Sequence, residues 1–533
     1  MPFDLIVVGG GHNGLVCAAY AARAGLSVAV IERHQKVGGA AFTEEFYPGF
    51  RNSAASYTVS LLEPRIIDEL ELRRHGLKIV QRPLDNFVPS LSGPGLALPG
   101  DPAERYQEIA KQSRHDAEAY RAFADELDSV IRLIRPFFLE PPIEPMHSSG
   151  ELLRSLAVVA RTMSCGPRAL AATARLFRRS AGHWLDSFFE TDLLKGALGF
   201  DSIVGHFASP YTKGSGYLLL HHALGELDGR RGAWGHAIGG MGSISNSLAA
   251  AAQQYGVQIR TAEPVARIRP EADVFIVETE HGELTSRMVA GAIHPKRLFL
   301  DLLAGASLPE AFRSRIENWH SESASFRINV ALSELPDFRC LPGKQAERHH
   351  GAGILLAPSL AYLDHAFQEA AEHGLSSQPI VELVIPSTID PTLAPPGHHV
   401  ASLFCQHFRY ALPAGRSWDE VKRHAVETVL ATVDDYAPNF KRSVIGLSAY
   451  SPVDLERRFG LVGGDIFHGA MVPEQLYRMR PARGYARYRT PIANLYVCAA
   501  GAHPGGGVSG APGYNAAKAI IEDWASLNAI QRR

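Results

Sequence analysis

The sequence predicts an α/β fold in which one domain is assembled from discontinuous segments and a second is mixed α+β. Two observations predict it. Within about its first forty residues the chain reads strand, glycine turn, helix, strand, acid. Its last forty read strand, glycine loop, helix again, as if returning to the same sheet.

The opening elements come first. Asp4 to Val8 is a short apolar strand, Leu15 to Ala24 a small-residue helix, and Leu26 to Ile31 a second buried strand ending at Glu32. Between them Gly9, Gly11 and Gly14 keep a Gly-x-Gly-x-x-Gly spacing. Gly9 permits the tight turn, Gly11 lets backbone approach a pyrophosphate, and Gly14 lets helix and strand pack closely. The helix N-terminus offers free N–H groups and the positive end of its dipole to phosphates. Glu32 can accept from ribose hydroxyls. His12 and Asn13 lie inside the turn and Arg33 follows the acid, so all three join the cofactor-binding candidates. This much is a dinucleotide-binding βαβ unit that does not choose between NAD and FAD. Gly38 and Gly39 offer a second close approach of backbone, with Ala40 beside them. Tyr57, in the turn-rich stretch that follows, either lines a pocket or packs.

From about Leu61 to Leu227 the pattern is mostly helical. Asp101-Pro102-Ala103-Glu104 reads as a capping box, and Ser113 to Asp116 starts a helix that runs to about Phe138. Pro141, Pro142 and Pro145 end it. Between Glu151 and Asp186 stand six arginines and no carboxylate, interleaved with apolar residues and split at Gly166-Pro167. Such a basic amphipathic pair either lies on an anionic membrane surface or pairs with acids elsewhere in the fold.

Gly239-Gly240-Met241 leads into a helix from about Ile244 to Tyr255. No buried strand is expected before it, so one cofactor site is predicted rather than two. Val257 to Ala292 reads as short strands ending in a β-meander. Phe326 to Leu332 alternates as a half-buried strand should. Ile380 to Ile385 and Val400 to Phe408 are further strands, and Trp418 to Tyr436 is a helix. Finally Asn494 to Ala500 forms a buried strand, Gly501 to Gly510 a glycine-dense loop carrying His503, and Ala511 to Trp524 a helix.

Composition narrows the function. The 533 residues carry 53 Lys and Arg against 55 Asp and Glu, so no overall field favours nucleic acid. The five cysteines form no Cys-x-x-Cys, which argues against a redox dithiol or zinc ribbon. The paired histidines lack metal-ligand spacing, so no metal is assigned. With no apolar run of spanning length and no leader-like start, the expected location is cytoplasmic, with membrane-surface association through 151–186 as the alternative.

Taken together, Val7 to Gly14, Gly38-Gly39, Gly239-Gly240-Met241 and Gly501 to Gly507 resemble the flavin-dependent phytoene desaturase and amine oxidase superfamily. The likeness is nearest to bacterial-type carotenoid desaturases, retinol saturase and the pyridine nucleotide-disulfide oxidoreductase domain-containing protein 2 group. Gly463 to Met471 looks most like the last. The resemblance implies FAD. Gly9, Gly11 and Gly14 would cradle its pyrophosphate, Glu32 would bind the adenosine ribose, and Val265 would contact the adenine side through its backbone. Gly501, His503, Gly505, Gly507 and Val508 would line the ribityl and isoalloxazine region. Ala40 stands where the superfamily often has arginine, which disfavours a typical amine oxidase.

The resemblance further implies an FAD-binding domain from 1–75, 228–298 and 486–533 and a substrate domain from 76–227 and 299–485. The reaction implied is hydride transfer from a lipophilic, isoprenoid-like substrate to flavin N5, leaving a C=C bond. His503 and His468 are candidates to face the substrate. The electron acceptor (oxygen or quinone) and the oligomeric state stay open. Alternatives are amine oxidation, saturation or isomerisation on the same scaffold, or a non-catalytic module of the GDP-dissociation-inhibitor type.

Overall fold

In the computed structural model the backbone is described for residues 2–144, 149–343 and 345–531. Two seven-stranded sheets organise the chain. β1 (Phe3–Val8) runs into α1 (His12–Arg23), which returns to β2 (Val28–Ile31). β1 and β2 pair in parallel, Leu5 against Val28 and Val8 against Ile31. Gln258–Arg260 extends the parallel set beyond β2. On the other side of β1 lies the long strand Gly282–Gly291, also parallel. Its first half closes the meander with Phe275–Thr279 and Val265–Pro270. Its second half pairs in parallel with Leu495–Val497, so the chain's end does return to the first sheet.

These central strands are apolar throughout because they are buried on both faces. Leu5, Ile6 and Val7 are wholly buried, as are Val289 and Ala290. The C-terminal helix Ala511–Gln531 lies on α1. A Cβ on Gly513 would stand 2.1 Å from the Asn13 carbonyl oxygen, so the two helices approach at backbone distance there. The rings of Tyr20 and Tyr514 meet edge-on at 5.0 Å along the same seam.

The second sheet runs Val444–Tyr450, Phe326–Leu332, His399–Phe408, Leu375–Val384, Gly353–Leu356, Asn86–Val88, Leu96–Leu98. Its pairings are antiparallel except between Gly353–Leu356 and Asn86–Val88. The helix Trp418–Tyr436 covers one face, capped by a reciprocal Ser417–Glu420 box.

Two expectations change, and a third gains detail. The stretch 61–227 is mostly helical as expected, but Ile79–Gln81, Asn86–Val88 and Leu96–Leu98 within it are strands. Three residues are too few for an alternating pattern to register, and these strands are fixed by remote partners. Phe326–Leu332 is buried at every position rather than on one face, so its polar residues Arg327 and Asn329 point into the molecule. A buried strand, Gly235–Ala237, does precede Gly239-Gly240, but it pairs with Ile79–Gln81 outside the parallel sheet. There the Gly239 N–H donates to Asp390 at 2.6 Å and the Gly242 N–H to Thr43 at 2.9 Å. The doublet is a structural turn, not a second nucleotide loop.

Elsewhere the helix starting after Ser113 spans Arg114–Ile134, and Gly166-Pro167 separates Ser149–Ser164 from Gly166–Arg178. Pro145 and the side chain of Arg154 lie outside the described residues. Among the described residues no helix is long and apolar enough to cross a membrane.

Candidate active site

The first sheet delivers the glycine turn to a cavity. Gly9 has φ +105°, a conformation side chains resist. α1 begins one residue after Gly11, which has no side chain to cap it, so the first-turn N–H groups keep no side-chain acceptor. A Cβ on Gly11 would meet nothing within 4 Å: the space above it is open. A Cβ on Gly14 would lie 2.3 Å from the Gly9 carbonyl oxygen and 2.7 Å from Ala292 Cβ. Gly11 thus leaves room and Gly14 removes bulk.

Glu32 is buried, and each carboxylate oxygen accepts one backbone bond, from Gly10 N at 2.7 Å and from His34 N at 2.9 Å. Its remaining acceptor capacity faces the same cavity. Gly38 N donates to the Gly10 carbonyl at 2.9 Å, binding the glycine doublet to the turn.

From the other end of the chain, Gly507 and Val508 line the cavity with Ala499 and Ala500. His12 hydrogen-bonds the Gly507 backbone, and burial pulls its pKa down to about 4. The two glycine loops, nearly five hundred residues apart, are therefore in contact. Of the sequence candidates, Gly9, Gly11, His12, Asn13, Glu32, Arg33, Gly39, Ala40, Tyr57, Val265, His468, Gly507 and Val508 line this one cavity.

Gly14, Gly38, Gly501, His503 and Gly505 stand behind the wall. His503 turns away: its Nε2 meets the Phe137 carbonyl at 2.8 Å, and its ring packs edge-on against Tyr477 at 5.3 Å. His468 does face the cavity, at φ +57°, with its carbonyl held by Trp319 Nε1 at 2.9 Å. Burial, then the positive charge of Arg480, pulls its imidazole to about 3, so it is neutral at pH 7.

Arg480 fixes this loop. Fully buried, it donates to the carbonyls of Phe467, Gly469, Ala470, Gln475 and Ala500 at 2.7–3.4 Å. One guanidinium thereby ties the His468 segment to the C-terminal strand's end. Asp465 complements it by accepting from the Phe467 and Gly469 N–H groups.

The second sheet supplies the far wall, where sequence reasoning found only Tyr57. That ring stacks on Phe404 at 5.6 Å, and the Arg327 guanidinium lies over it at 4.4 Å. Its hydroxyl donates to Glu382, which also pairs with Arg82 at 3.2 Å. A deeper extension of the cavity is lined by Tyr57, Glu382, Asn86, His222 and Asp201. Burial, then the Glu382 charge, pushes Asp201 up to about 8. Only the polar positions of the strand 326–332 could have signalled this wall, and they read as a solvent face.

Residues 7–66 match the NAD(P)-binding Rossmann-like domain family. Over 98% of its length the chain is 42% identical to pyridine nucleotide-disulfide oxidoreductase domain-containing protein 2 of Rattus norvegicus, covering 94% of that protein. It is 27% identical to one of the polypeptides of limonene dehydrogenase from Castellaniella defragrans, over 98% of this chain and 94% of that one. Among solved structures, cyclohexylamine oxidase of Brevibacterium oxydans superposes with a TM-score of 0.56 at 17% identity, over 98% of this chain and all of that one. That last likeness is one of fold.

Proposed function

The chain belongs to the family of the pyridine nucleotide-disulfide oxidoreductase domain-containing protein 2 proteins, within the flavin-type oxidoreductase superfamily, and on that premise we propose that it is an FAD-dependent dehydrogenase of a lipophilic, isoprenoid-like substrate. The observation that carries this is the single cavity running from the open N-terminus of α1 to the aromatic wall of Tyr57 and Phe404. Despite the family's name, all five cysteines are free in this structure.

The residues present fit FAD. The uncapped helix start and the open space at Gly11 suit a pyrophosphate, and the unpartnered buried Nε2 of His12 and Oδ1 of Asn13 can accept from ribose hydroxyls. Glu32 takes the ribose hydroxyls. When bound, the flavin supplies a hydride acceptor. The chain's own part is to orient and to exclude water: Phe404, Ile466, Phe467 and Val508 give the reacting end an apolar lining. In this reading segments 1–75, 228–298 and 486–533 hold cofactor and the rest holds substrate. Limonene dehydrogenase, as a named relative, supports an isoprenoid substrate.

Exposed Leu156, Val159 and Met163 on Ser149–Ser164 support collection of such a substrate from a membrane surface. Arg161 and Arg175 of the same basic segment pair with Glu140 and Glu126.

The test is the visible spectrum of the purified protein followed by anaerobic titration with polyenes, monoterpenes and amines. Bound flavin bleached by an isoprenoid is expected. Bleaching by amines alone replaces the reaction, and a colourless protein replaces it with the non-catalytic, lipid-binding alternative.

A further inference from the structure

We propose that the second-sheet end of the cavity is an anion site and that the substrate carries a carboxylate, received by Arg327. The inference deepens the flavin reading by naming the substrate class, and its test does not depend on flavin. Arg327 lines the cavity wall and is 2% exposed. Its Nη2 donates to Ser402 Oγ at 2.6 Å, while its Nε and Nη1 have no partner. No carboxylate among the described residues forms an ion pair with it.

A buried charge without an ion-pair partner is costly, and the Tyr57 ring and a Glu382 carboxylate already shared with Arg82 and Tyr57 offset this one only in part. Arg82 neutralises Glu382. Asp85 is occupied by Arg105 at 2.6 Å and Arg230 at 2.8 Å. His222 is held neutral by burial, at about 4. Asp201, raised to about 8, is protonated at neutral pH. The Arg327 charge beneath the Tyr57 ring is therefore left in excess. A carboxylate would neutralise it and meet a charge-assisted donor. An ammonium would meet repulsion.

The experiment is calorimetric titration of the purified full-length protein with geranate, geraniol and geranylamine, which share one chain and differ in head group. At pH 7 geranate is expected to bind at least about tenfold tighter than geraniol, with geranylamine weakest. Arg327→Gln, if its circular dichroism and melting show it folded, should lose the geranate advantage and keep geraniol binding. Equal binding of acid and alcohol, tighter binding of the amine, or a folded Arg327→Gln that still prefers geranate overturns the proposal. If Arg327→Gln does not fold, the wild-type head-group series decides. A colourless protein that prefers geranate removes the flavin reading and keeps this one. A flavin-bearing protein indifferent to the head group does the reverse.

Discussion

At one end of the cavity recognition is made of backbone, and at the other of side chains. The turn at Gly9–Gly14 works by what it lacks: a Cβ at Gly11, a cap on α1, bulk at Gly14. The wall at Tyr57, Arg327, Glu382 and Asp201 is built from single polar residues of five separate segments, Arg82 included, with the Arg327 guanidinium over the Tyr57 ring and Tyr57 and Arg82 both on Glu382. A ligand met by peptide N–H groups is read by shape and phosphate alone, so such a turn can serve many proteins. A ligand met by an arrangement of charges is read individually. The contrast predicts that lesions at the first end act through space and at the second through unpaired groups.

The largest expected effect tests the first half of that statement. Gly14→Val places carbon where Gly9 O and Ala292 already stand, and should cost about 3 kcal/mol or more, read as loss of a cooperative unfolding transition. Arg480→Met comes next. It leaves buried carbonyls unpaired at roughly 1–3 kcal/mol each, so the unfolding free energy from urea titration should fall by several kcal/mol, although Arg480 itself does not line the cavity. Gly11→Val sharpens the comparison because its Cβ points into open space. Stability should change by less than about 1 kcal/mol, while FAD affinity, read by equilibrium dialysis, should drop at least about tenfold.

The smallest effect is at the Gly239 turn. Asp390 accepts from His236, Gly239 and Thr392, and these bonds hold its pKa well below the usual carboxylate range. Its contribution is full above about pH 4 and is lost as pH falls below that. Asp390→Asn should therefore lower stability at pH 7 by about 1 kcal/mol and narrow the gap between urea midpoints measured at about pH 7 and pH 3.

The same division explains what the sequence disclosed. The βαβ start was legible because its chemistry lies in local spacing, and the C-terminal return because strand, loop and helix repeat the opening order. Val265 and His468 were reached by likeness rather than spacing, and both line the cavity. His503 was likewise reached by likeness, and it does not line the cavity. Its cis bond to Pro504 and its contact with the Phe137 carbonyl are tertiary facts that no local pattern encodes. Arg82, Asp201, Arg327 and Glu382 are single residues on four separate stretches of chain. Each looks like an ordinary solvent-facing polar residue until the second sheet closes over it. The short strands within 79–98 were missed for a related reason, since their identity is conferred by partners far along the chain.

The seam between α1 and the C-terminal helix has a consequence for the life of the protein. Asn13 and Gly513 touch at backbone distance, and Leu495–Val497 completes the parallel sheet. A polypeptide still emerging from the ribosome has its glycine turn from the start but lacks the strand, the Gly507 contact with His12 and the helix that clamps the turn. On the FAD reading, cofactor capture thus waits until residues 495–513 have been made and have folded back onto the turn. A chain cut before Leu495 would lose the strand, the Gly507 contact and the Gly513 approach that complete the wall around the turn.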